Sequence, residues 1–92
     1  MIKSIESDGV LHVAFPGQWD ANNLDDLRAI ESWISTNYLS KVSVDLSHVN
    51  VLNIAIIWLY GHIRKKCAEA KVSFEIKAAN HLFRIYLGES FA

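Results

Sequence analysis

The sequence predicts an α/β fold in which a single mixed β-sheet is built with βαβ crossovers and backed by helices. Three observations carry that prediction. Segments with apolar residues at every second position alternate with segments at three- and four-residue spacing, the stretches between them are short, and the two kinds follow each other in the order ββαβαβα. With no linker, repeat or low-complexity stretch in 92 residues, residues 1–92 read as one domain.

The first strand is short and imperfect, formed by Ile2 and Ile5 with Lys3 and Glu6, and Asp8-Gly9 after it is a favoured hairpin turn. Val10, His12 and Ala14 form one face of a second strand and Leu11, Val13 and Phe15 the other; Pro16-Gly17 stops it. Residues 22–36 then carry Leu24, Leu27, Ile30, Trp33 and Ile34 on one side of a helix, with Asp25, Asp26, Arg28 and Glu31 on the other. Asn22 or Asn23 suits the cap, and the acids sit in the first turn, where the helix dipole favours them. Val42, Val44 and Leu46 alternate with Ser43 and Asp45 as a buried strand over residues 41–46. A very apolar helix over residues 53–70 follows, then a strand over residues 71–77 through Val72, Phe74 and Ile76, and a last helix over residues 80–87 stopped by Gly88. If the strands of the two crossovers are parallel, right-handed connections place the helices against the sheet and leave loops and helix starts on one rim, where such folds usually carry function.

Composition narrows the function classes. An apolar fraction of 51% supplies one core, and nine Lys+Arg against ten Asp+Glu leave a net charge of −1, which gives no overall basic field to recruit nucleic acid or an acidic membrane. The longest apolar stretch, about residues 49–60, is broken by Asn50 and Asn53 and falls short of the ~20 residues that cross a bilayer. MIKSIESDGV alternates polar and apolar residues, unlike a signal peptide, and the lone Cys67 has no internal disulfide partner; both fit a soluble, cytoplasmic protein.

Several residues then carry a resemblance. Gly17-Gln18-Trp19-Asp20 before the first helix, Val42-Ser43-Val44-Asp45-Leu46-Ser47 as the central strand, and Asn53, eight residues after Asp45, opening an apolar helix are similar to a STAS domain, the family that includes bacterial anti-anti-sigma factors. The resemblance spans nearly the whole chain through its element order. It implies a helix start resembling Asp-Ser-Ser-Gly-Leu, whose first serine a partner kinase phosphorylates; aligned without gaps, those positions are Asn53, Ile54, Ala55, Ile56 and Ile57. Ile54 thus stands where the family's phosphoacceptor stands. The resemblance also implies a C-terminal strand and helix, but only Glu89–Ala92 follow Gly88, so the expectation is a sheet edge open to a partner or a second copy.

A serine at a helix start works as a switch because backbone amides and the dipole favour added negative charge, while a nearby binding surface is repelled by it. Isoleucine has no such chemistry, whereas Asn53 keeps the capping role. Two readings follow: Ile54 and Ile56 are exposed and dock a partner, or both pack beneath a loop of the domain itself. The helix is apolar almost all round through Ile54-Ala55-Ile56-Ile57-Trp58-Leu59-Tyr60, more so than a surface helix of a two-layer domain requires. That excess favours association and makes Trp58 or Tyr60 a candidate anchor. The candidate partner-binding set is therefore Asn53, Ile54, Ala55, Ile56, Trp58 and Tyr60.

Other polar residues point elsewhere. Ser47 after Asp45-Leu46 reads as a turn-closing residue, and Asp20 and Asp45 as capping or turn carboxylates rather than an acid/base pair. His12, His48, His62 and His81 lack metal-ligand spacing, and Cys67 reads as a small buried residue, so no metal and no cofactor are expected. The glycines at 9, 17, 61 and 88 are too scattered for a phosphate loop. Arg64-Lys65-Lys66 read as a solvated face, with Glu69 four residues after Lys65 as local partner. The functional expectation is a non-catalytic STAS-like binding module that docks on a cytosolic anti-sigma factor or other regulator without serine phosphorylation. The alternatives are an accessory subunit seated on the ATPase of a lipid-asymmetry ABC transporter and, weakest, an enzyme. A homodimer is compatible with each.

Overall fold

The computed structural model describes residues 2–19, 24–36, 38–49 and 54–79. Its elements are β1 (Lys3–Ser7), β2 (Val10–Ala14), α1 (Leu24–Ser35), β3 (Lys41–Leu46), α2 (Ile54–Ala70) and β4 (Ser73–Ala79). The strands lie in sequence order in one sheet; β1 is antiparallel to β2, while β2–β3 and β3–β4 are parallel. The architecture is thus the mixed α/β sheet that the periodicity predicts. The expected caps Asn22, Asn23 and Asn53, the final helix and the question of a further C-terminal strand lie outside the described residues.

The β1–β2 hairpin closes through Asp8 and Gly9, with φ of 54° and 81°. Two consecutive positive φ values are what a two-residue turn matching the strand twist requires, and Asp-Gly supplies them cheaply. Glu6 Oε2 accepts a 2.9 Å hydrogen bond from the Gly9 amide, and Gly9 O accepts one of 2.8 Å from Ser40 N, which ties the hairpin to the start of β3. Within the hairpin Ile5 pairs with His12, so Ile5 lies on the face away from the core and is 69% exposed; Ile2 supplies the buried side chain instead.

Leu11, Val13, Val42, Val44 and Leu46 are buried in one cluster with Leu27, Ile30 and Ile34 of α1 and Ile56, Leu59 and Ile63 of α2. Both helices, which also contact each other, therefore cover the same face of the sheet. The opposite face carries Lys3, Ile5, His12, Lys41, Ser43, Asp45 and Glu75, a polar surface on which Ser43 is buried and donates a 2.9 Å hydrogen bond to Glu75 Oε2.

Both boundaries of β4 and two side chains of α1 differ from expectation. Lys71 ends α2 rather than opening a strand. It takes a left-handed φ of 60°, and the bonds Val72 N to Cys67 O (2.9 Å) and Lys71 N to Ala68 O (3.3 Å) close the helix in a Schellman motif. β4 begins two residues later and carries a bulge: Val44 pairs with Ile76 but Asp45 with Ala78, leaving Lys77 as the extra residue. In α1, Leu24 and Trp33 lie about 90° either side of the buried stripe and are partly exposed, so only Leu27, Ile30 and Ile34 form it.

Candidate docking surface

Helix α2 starts just after the carboxyl end of β3, and its two sides have different fates. At about 100° per residue, Ile56, Leu59, Tyr60, Ile63 and Cys67 make one stripe, and all five are buried. Ile54 and Trp58, one turn apart, lie on roughly the opposite side. Ile54 is 87% exposed and Trp58 45%, while Ala55 and Ile57 are half-buried between the two faces.

This geometry divides the residues that the sequence grouped together. Ile54 and Trp58 meet the expectation of exposure, and Asn53 lies outside the described residues. Ile56 does not meet it: it is wholly buried in the domain's own core, because it falls on the sheet-facing stripe two residues on from Ile54. Tyr60 is likewise corrected from surface anchor to core residue, its ring edge-on to Phe74 of β4 at 5.6 Å. An apolar helix is thus half core and half surface, and the surface half is Ile54 and Trp58.

Trp58 does not stand alone. Its ring is nearly parallel to that of Trp19 (centroids 6.2 Å apart, planes 10° apart) and to that of His62 (4.9 Å, 17°). Trp19 is buried, with its indole Nε1 lacking a hydrogen-bond partner among the described residues, and His62 Nε2 lies 2.8 Å from Glu31 Oε2 on α1. A carboxylate can only accept, so Nε2 carries the proton and donates it. Sequence reasoning missed Trp19, His62 and Glu31 as neighbours of Trp58; the four-residue spacing of Trp58 and His62 was the only local signal for part of the group.

On the same rim Asp45 Oδ1 accepts a 2.9 Å hydrogen bond from Ser47 N. The Ser47 hydroxyl, then its amide, hold the Asp45 carboxyl below its ordinary range, with His48 and Lys77 adding smaller attractions. Ser47 therefore closes a turn, as expected. Asp20 and His81 lie outside the described residues; His12 and His48 are exposed, and no group of three or more His, Cys, Asp or Glu among the described residues is placed to hold a metal. Burial pushes the Cys67 thiol up to about 11, which leaves almost no thiolate at neutral pH and fits a packing role. In the basic cluster it is Lys66, not Lys65, that pairs with Glu69 (3.8 Å); Lys66 also approaches Glu31 Oε2 at 4.0 Å, while Arg64 and Lys65 are exposed.

No family model matches the sequence, and no curated protein does. Among solved structures the chain is similar to the Bacillus cell fate determinant SpoIIAA in its phosphorylated form, with a TM-score of 0.68 over 94% of this chain and 97% of that one. Sequence identity is 8%, so the likeness is one of fold. It matches the STAS-like fold that the resemblance implies. Among the described residues no helix is long and apolar enough to cross a membrane.

Proposed function

We propose that this chain is a non-catalytic protein-docking module of the anti-sigma factor antagonist type, which meets a cytosolic partner through Ile54 and Trp58 at the start of α2. The observation that carries the reading is the 87% exposure of Ile54, a large aliphatic side chain on the outer side of the helix where the family keeps its switch. An isolated exposed apolar residue needs no explanation, but here a half-exposed tryptophan follows one turn later on the same side. Tryptophan is among the residues enriched at the energetic centres of interfaces.

The absence of a hydroxyl at position 54 implies docking without phosphate control at that site. The test uses affinity capture to identify a partner, followed by its dissociation constant measured with the wild-type chain and with Ile54→Asp. Binding weakened at least tenfold with the fold intact supports the reading, and equal affinity contradicts it. Incubation of the chain with its partner and ATP should leave its intact mass unchanged; a stoichiometric phosphate would refute uncontrolled docking.

A further inference from the structure

We infer that His62 and Glu31 are positioning residues that, with Trp19, hold the Trp58 indole in a fixed orientation before any partner binds; the inference rests on the docking reading above. Trp58 sits at a half-exposed helix position, where an indole with two free torsions would ordinarily sample several rotamers. Here its ring is nearly parallel to a buried ring, Trp19, and to a second ring, His62, one turn along the same helix. The His62 ring is in turn held from outside its own helix. Its Nε2–H donates to Glu31 Oε2 across the α1–α2 junction at 2.8 Å, with both side chains only 25% and 30% exposed. Lys66 Nζ lies 4.0 Å from the same oxygen.

The chain of contacts runs from α1 through Glu31 to His62 and from His62 to Trp58, so the two helices together set the indole plane. A partner then meets a preformed surface, with Ile54 one turn before an already oriented ring, and binding does not have to order that ring. Loss of His62 or Glu31 therefore weakens docking by freeing the Trp58 ring. Such an arrangement also selects partners by shape, because the ring cannot turn to suit a different surface.

The experiment is 15N relaxation of the tryptophan indole Nε1–H groups in the full chain, with no partner present. In the wild type the Trp58 order parameter should approach that of rigid backbone, about 0.85. In His62→Ala and in Glu31→Ala it should fall toward the flexible range, below about 0.6, while that of Trp19 stays high as evidence of an intact core. His62→Phe, which keeps a ring beside Trp58, should retain more Trp58 order than His62→Ala. Should His62→Ala not fold, His62→Gln, which also lacks the ring, is read in its place. A Trp58 order parameter as high as wild type in either the ring-deleted or the Glu31→Ala variant overturns the inference. Because this readout needs no partner, its failure is distinct from failure of the Ile54 binding test.

Discussion

Ile54 and Ile56 are two positions apart on one helix, and that spacing, about 200°, sends one side chain to solvent and the other to the core. The same substitution therefore has opposite meanings at the two sites. Ile54→Asp exchanges an exposed side chain for one that the helix N-terminus favours, so urea unfolding should move by no more than about 0.5 kcal/mol. Ile56→Ala removes buried methyl groups from a packed cluster and should cost about 2–5 kcal/mol in the same measurement. If the two variants unfolded alike, the assignment of the two faces of α2 would be wrong. A carboxylate at position 56 would unfold the domain whatever its partners, so the binding test belongs to position 54 alone.

Helix α2 shows what periodicity can and cannot reveal. Its existence and extent follow from the sequence, because seventeen residues lie between Ile54 and Ala70 without a breaker strong enough to stop them. Which side of its first two turns is buried does not follow locally, since residues 54–60 are apolar almost all round and carry no amphipathic contrast. The sequence also contains no glycine to announce the C-terminal cap; Lys71 adopts the left-handed conformation instead, and β4 consequently starts two residues later than its alternation suggests. That cap carries a testable cost. A left-handed residue with a Cβ is strained by roughly 1 kcal/mol, part of which glycine gives back through its greater freedom when unfolded. Lys71→Gly should accordingly raise the unfolding free energy by about 0.5 kcal/mol, and a loss of stability would refute the Schellman assignment. The interactions around Trp58 were illegible for a different reason. His62 lies four residues after Trp58 on the same helix, but Trp19 and Glu31 come from two other segments, and no local spacing encodes a tertiary neighbour.

Taken as a body, the protein has two unlike sides: helices over an apolar sheet face, and a second sheet face that is largely polar and ionic. The burial of Val42, Val44 and Leu46 was legible from alternation, since in β3 each inward position is aliphatic and each outward one polar. The ionic face makes stability depend on acid. The Ser43 hydroxyl, with Lys41 beside it, holds the Glu75 carboxyl below its ordinary range, and Ser47 does the same for Asp45. A folded-state value below the unfolded one means that each group stabilises the fold at pH above about 4, and that this contribution is lost as pH falls through the lower folded values. Urea midpoints should therefore decline below about pH 4, and Asp45→Asn and Glu75→Gln should each make the decline shallower; a profile unchanged by both would contradict these contacts. None of this bears on the proposed docking surface, which lies on the helical side. There the decisive comparison is the dissociation constant of the captured partner for wild-type chain and for Ile54→Asp, at equal and verified stability. Binding at least tenfold weaker in the variant is the result expected of a docking surface at the start of α2, and identical binding would contradict it.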